Sequence, residues 1–236
     1  MDKNIDFFEK FTSNYNMDEW GIKMKYDHSY RVMSYSKQIA ESLDLDSKET
    51  DRATEIGLFH DLGRFPQYAE YKTFTDSKSI DHGDKSEEIL KENGYNDDIL
   101  LKAVKYHNKY AVPEEFDDLT KLHCNLVRDA DKIDILIMQG LEVKNHNYDD
   151  LSLYIPYFKE HKLVPNDIDQ GEAFGILRMV SYLFDINYKY SIEILIKKDI
   201  LNKKMELLRN DKNSDQIDIL ENEVKKFIKE RFDIKC

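Results

Sequence analysis

Ser47–Gly63 reads SKETDRATEIGLFHDLG, and its spacing decides the fold. Ala53, Ile56, Gly57 and His60 recur at steps of three and four, the interval that stacks side chains on one face of an α-helix. Ser47 offers an N-cap, Gly63 a stop, and Pro66 lies just beyond. The stretch predicts a helix that turns a histidine inward at its C-terminal end, with Asp61 beside it.

The same period continues on both sides. Upstream, after a leader rich in Phe and Tyr, Asp27–Leu43 places His28, Val32, Tyr35, Ile39 and Leu43 on one face, so His28 begins a buried stripe. Downstream, a helix is expected from His82 to about Asn93, ending at Gly94. Another runs from Asp97 with Leu100, Ala103, Val104 and His107 on one face. Asp117–Leu141 carries Leu119, Leu122, Leu126, Ala130, Ile133 and Ile137 around the sequence RDADKID, which leaves Asp131 in mostly apolar company. Between these helices Arg64–Asp81, RFPQYAEYKTFTDSKSID, breaks the pattern and reads as a loop or lid bearing Phe65, Tyr68, Tyr71 and Phe74.

The C-terminal third predicts three further apolar faces. These are Ala173 to Phe184, then Ile194, Leu201 and Leu208, then Ile217 to Ile228, the last two forming a hairpin that turns at NDKNSD. Lys144–Gln170 reads as a loop or short-helix connection. The expected fold class is therefore all-α, a helical bundle over residues 1–145 including the leader, with 146–236 as a C-terminal helical extension packed on the same core. Only 8 Gly and 4 Pro in 236 residues agree with long helices and argue against a turn-rich β-sandwich.

Charge narrows the partners. A formal net charge of -12 repels polyanions, and no basic stripe offsets it, so neither a nucleic acid polymer nor a membrane is expected as partner. No apolar run is long enough to span a bilayer, and MDKNIDFFEK is too charged for a signal peptide, which points to the cytoplasm. Cys124 and Cys236 form neither a disulfide framework nor a CxxC site. The amphipathic tail after Ser191 suits a packing surface or a homodimer interface.

The chemistry lies in the histidines and aspartates that end or interrupt these faces. A buried charge is tolerated chiefly when it is paired or bound to metal, so five helical segments that each turn such a group inward point to one shared site. A lone histidine on an apolar face is more often satisfied by a backbone carbonyl. The order of the set shifts that balance: His28, then His60-Asp61 in GLFHDLGRF, His82 in DHGDKSEEIL, His107 in KYHNKY and Asp131 in RDADKID. From about Tyr26 to Leu136 this series resembles the HD-domain metal-dependent phosphohydrolases.

The resemblance implies that His28, His60, Asp61 and Asp131 hold one divalent ion and that His82 and His107 help build a second position, with Asp61 bridging. Iron and manganese lead on donor chemistry, with magnesium, cobalt, nickel and zinc as further candidates. Asn108 after His107, and the absence of a GYP motif, argue against the cyclic-dinucleotide branch. Two ions would bridge a hydroxide and lower its pKa until it serves as nucleophile at neutral pH. Asp61 and Arg64 are the expected catalytic residues, with Arg64 gripping phosphoryl oxygens. Arg64, Arg31, Phe65 and Tyr68 are the expected substrate contacts, the two rings favouring a nucleotide among small phosphorylated substrates. Lys85 and Lys132 read as solvated lysines, and Asp134 as a group that orients a ligand imidazole or forms a helix salt bridge. His123, His146 and His161 read as structural or exposed. Two other readings share the ligand series or the fold: a di-iron oxygenase, and a nucleotide-binding module without turnover.

Overall fold

The computed structural model describes residues 2–138, 149–166, 168 and 172–235. It is helical throughout, with no strand among the described residues, and no helix there is long and apolar enough to cross a membrane. The chain divides into two compact units, residues 1–131 and 132–236.

The first unit contains α1 (Asp2–Thr12), α2 (Trp20–Ser42), α3 (Ser47–Phe59), α4 (Arg64–Tyr71), α5 (His82–Glu92), α6 (Asp98–Tyr106) and the part of α7 (Asp118–Met138) up to Asp131. Its heart is the pairing of α2 with α3, and Gly57 sets how closely they meet. A Cβ on Gly57 would lie 2.5 Å from Ser36 Oγ and 2.9 Å from Met33 Cα, so only hydrogen fits between the helices. Val32, Ile39, Ala53, Ile56, Phe59, Leu90, Leu100, Val104, Leu126 and Ala130 are buried as the apolar periods require. Buried leucine-sized side chains contribute roughly 1.5–3 kcal/mol each, which makes this packing the main stabilising term.

Aspartates cap three of these helices. Asp46, not Ser47, accepts from Glu49 N at 2.9 Å, Asp81 from Gly83 N at 3.0 Å, and Asp97 from Ile99 N at 3.0 Å. Each cap is worth about 1 kcal/mol and fixes where its helix begins. Two expectations are corrected here. The helix bearing His28 starts at Trp20 instead of near Asp27, and the segment 64–81 is not a lid but α4 followed by a 3-10 turn at Asp76–Lys78. Pro66 falls in the first turn of α4, where its missing N–H has no helical partner to lose.

The second unit contains α8 (Ile155–Lys159), α9 (Glu172–Ser181), a 3-10 turn at Tyr182–Asp185, α10 (Lys189–Lys197), α11 (Ile200–Glu206) and α12 (Ser214–Phe232). Phe158, Leu177, Leu183, Phe184, Ile192, Leu220 and Val224 are buried in it. The face read as continuous from Ile194 to Leu208 is broken by Asp199, whose φ of 56° interrupts the helix between α10 and α11. The hairpin at Asn210–Ser214 is present, tied by Asn213 Nδ2 donating to Leu208 O at 2.7 Å.

Candidate metal centre

Local structure explains how six side chains meet. His28 sits in the middle of α2, His60 caps the C-terminus of α3 with Asp61 next to it, His82 opens α5, His107 caps the C-terminus of α6, and Asp131 projects from α7. Gly63 lets the end of α3 abut the start of α5: a Cβ there would collide with the His82 carbonyl oxygen and lie 3.0 Å from Ser86 N. Instead Gly63 N donates to Ser86 Oγ at 2.8 Å.

Asp61 is the centre of the arrangement, 2% exposed, and its two oxygens face different imidazole pairs. Oδ2 lies 3.4 Å from both His28 Nε2 and His60 Nε2, while Oδ1 lies 3.5 Å from both His82 Nε2 and His107 Nε2. Within the pairs, His28 and His60 are 3.2 Å apart at Nε2, and His82 and His107 are 3.0 Å apart. Asp131 Oδ1 joins the first pair, 3.1 Å from His28 Nε2 and 3.8 Å from His60 Nε2. Two groupings have donor atoms close enough together to hold an ion: His28, His60 and Asp131, and His60, Asp61 and His107.

The remaining ring nitrogens show which form the imidazoles take. His60 Nδ1 donates to Gly57 O at 2.8 Å, His107 Nδ1 to Val104 O at 2.7 Å, and His82 Nδ1 to Asp76 Oδ2 at 2.6 Å. Each partner can only accept, so each Nδ1 carries a proton and Nε2 is the nitrogen turned inward, where an ion would bind. Burial pushes the His60 pKa down and the His82 pKa down to about 4, which keeps both rings neutral near pH 7. Four inward Nε2 atoms set 3.0–3.2 Å apart in pairs around two carboxylates form a donor set that fits a bound divalent ion.

The carboxylates carry matching charge. Burial alone would raise the pKa of Asp61, but the Lys25 ammonium above all holds it well below the usual carboxylate range. Asp131 is likewise held down against burial, chiefly by its hydrogen bond with His28. Asp76 is kept ionised by His82 first and then Arg64, again against burial.

Sequence reasoning missed two of these groups. Lys25 is buried, with its ammonium 2.6 Å from Asp61 Oδ2, and stands one turn before His28 on α2. Asp76 accepts from His82 and, through Oδ1, from Arg64 Nη1 at 2.9 Å and Gln67 Nε2 at 2.9 Å. The available signals were the three-residue spacing of Lys25 from His28, which shares a helix face, and the general need of a ligand imidazole for an acceptor.

The other expected residues separate into three groups. Arg64 lies at the site, its Nε buried without a hydrogen-bond partner and 3.6 Å from Asp61 Oδ1, while Nη1 donates to Gln67, Phe74 O and Asp76. Tyr68 stacks on Phe74 with ring centroids 4.8 Å apart, and both Lys25 and Arg64 approach the Phe74 ring, at 5.5 and 5.7 Å. Arg31 is half-buried on α2.

Phe65 is corrected: it is 0% exposed and packs among Phe8, Phe11 and Tyr15, so its ring belongs to the core and is closed to a substrate. Lys85 pairs with Glu88 at 2.9 Å, whereas Lys132, expected to be solvated, is buried in the second unit with its ammonium 2.8 Å from Asp185. Asp134 is also in that unit and is buried. His123 is buried against Glu49 at 2.8 Å, His161 lies between the Phe184 and Phe227 rings, and His146 falls outside the described residues.

A family model described as HD domain matches residues 26–136. That span contains all six residues of the centre together with Arg64 and Asp76. No curated protein and no solved structure matches the chain.

Proposed function

From the match of residues 26–136 to the HD-domain family model, we propose that the protein hydrolyses a phosphate ester or anhydride bond of a nucleotide or another small phosphorylated molecule, using one or two divalent ions. The observation that carries this reading is Asp61, each of whose oxygens faces an imidazole pair, three of the four rings having their outer nitrogens tied to acceptors.

Four imidazoles and two carboxylates suit iron or manganese better than a thiolate-seeking structural zinc, with magnesium, cobalt and nickel as further candidates. Such ions supply, when bound, a water acidic enough to attack phosphorus at neutral pH and positive charge against the phosphoryl oxygens. Asp61 keeps the two halves of the ligand set in register. Asp76 and the Gly57 and Val104 carbonyls hold the rings in their ligand tautomer. Arg64, fixed through Nη1, leaves its Nε–H for a non-bridging phosphoryl oxygen, where charge grows as the bond to the leaving group breaks. The Tyr68–Phe74 pair beside these cations supports a substrate with an aromatic base.

The test is elemental analysis of anaerobically purified protein together with phosphate release from a panel of nucleotides and sugar phosphates, for the wild type and Asp61→Ala. Metal-dependent release that the substitution abolishes supports the reading. Oxygen consumption in place of phosphate release would move the assignment to a di-iron oxygenase, and metal binding with neither reaction to a non-catalytic nucleotide-binding module.

A further inference from the structure

Asp61 carries one cation on each of its oxygens, and the two cations are satisfied to different degrees. On the Oδ1 side, Arg64 is anchored through Nη1 by Gln67, the Phe74 carbonyl and Asp76. On the Oδ2 side stands Lys25, 7% exposed, with its ammonium 2.6 Å from the oxygen and 5.5 Å from the Phe74 ring centre. An ammonium has three N–H donors, and the bond to Asp61 is the only hydrogen bond the Lys25 side chain makes among the described residues. Two donors of a buried cation are therefore left next to Asp61 Oδ2, the oxygen that faces His28 and His60. Leaving charged donors unmet in a buried site is costly, and a structure that holds them there is built for an anion.

Resting on the phosphohydrolase reading, we propose that Lys25 is a substrate-contacting residue: pinned by Asp61 through one N–H, it donates another to a phosphoryl oxygen on the His28–His60 side, opposite Arg64. Asp61 has lone pairs enough to accept from Lys25 and still face the imidazoles, so the ion pair need not open for the site to work. The two cations, one at each oxygen of Asp61 and both near the Phe74 ring, then bind one phosphate together. This favours a terminal phosphoryl group, whose three oxygens can meet both cations and leave one for the metal site, over an internal diester with two. The unequal anchoring assigns different roles. Arg64 is a rigid fork, whereas Lys25, on a flexible four-carbon stem, can follow an oxygen that moves during the reaction.

The experiment compares wild type, Lys25→Met and Lys25→Arg, each loaded with manganese, for metal content, for inorganic phosphate affinity by calorimetry, and for KM and kcat on a substrate from the panel above. The expected result is unchanged metal content, a loss of phosphate affinity of about 10- to 100-fold in Lys25→Met, and recovery of most of it in Lys25→Arg. A lysine that merely neutralises Asp61 gives equal phosphate affinity in all three proteins, and that result overturns the proposal. Should Lys25→Met fail to fold, the ammonium NMR signal of Lys25 in magnesium-loaded wild type, assigned from Lys25→Arg, decides. A saturable shift with inorganic phosphate supports the contact, and no shift overturns it. A metal-loaded wild type that hydrolyses phosphates normally while all variants match it sinks the role of Lys25 alone; one that neither binds phosphate nor releases it sinks the phosphohydrolase reading as well.

Discussion

Asp76 Oδ2 accepts the Nδ1 proton of His82 at 2.6 Å, so a carboxylate six residues upstream of α5 decides which nitrogen of that imidazole faces the centre. The same carboxylate receives Arg64 Nη1, Gln67 Nε2 and, at 3.1 Å, Asn108 Nδ2. Removing it frees the ring to take the other tautomer and leaves several donors unmet. Asp76→Ala is expected to weaken divalent-ion affinity about 10- to 100-fold, the range typical of lost partners to ligand histidines. The loss should fall on the half of the site built by His82 and His107. Manganese titration of the apoprotein checks this, and two equal, unchanged sites would refute the role given to Asp76.

Gly63 supplies the second prediction, because its hydrogen is the only group that fits against the His82 carbonyl. An added methyl there meets backbone, which cannot rotate away, so α3 and α5 must separate. Gly63→Ala is expected to destabilise the protein by about 1–3 kcal/mol through overpacking. At about 2–4 °C per kcal/mol for a chain of this size, that is a clear fall in Tm. The same displacement should reduce metal affinity, since it moves His82 against Asp61. A thermal melt and a metal titration on one sample measure both effects.

How much of this was legible in the sequence follows from where the signals lie. His28, His60, Asp61, His82, His107 and Asp131 could be read because each ends or interrupts an apolar helical period, and a resemblance rests on their order. Lys25 escaped because the helix was begun near Asp27; three residues earlier on the same helix it shares the face of His28. Asp76 escaped because TDSKSID is loop-like by composition, and composition does not say which aspartate turns inward. Pro66 made the stretch after Arg64 look broken, although a proline in a first helical turn breaks nothing. Phe65 then passed for a loop aromatic, when its position one residue into α4 points it at the core.

That correction separates two neighbouring aromatic rings experimentally. Phe65 is enclosed by Phe8, Phe11 and Tyr15, so Phe65→Ala is expected to cost about 3–5 kcal/mol of stability, as for other buried aromatics truncated to alanine. Tyr68, half-buried on Phe74, should cost less stability when truncated and should instead raise KM for a nucleotide several-fold while leaving that for a sugar phosphate unchanged. Urea denaturation and steady-state kinetics on the two variants test the division. Equal KM shifts for both substrate types would remove the case for base stacking at Tyr68.

Lys204 gives a test of pH dependence away from the centre. Its side chain is fully buried in the second unit, and burial pushes its pKa down from 10.5 to about 8. The folded form therefore binds the proton less tightly than the unfolded chain does. Below about pH 8 both states are protonated and the cost of holding the charge inside is paid in full. Between about pH 8 and 10.5 the unfolded chain keeps a proton that the folded protein has released, so stability from this residue rises with pH. Lys204→Met removes the charge while keeping the length of the side chain. Any advantage it has over the wild type at pH 7 is expected to shrink as pH climbs through that window. Urea unfolding of both proteins at pH 7 and pH 9.5 reads the difference, and an advantage that stays constant or grows between the two would show that the Lys204 pKa is not depressed by its surroundings.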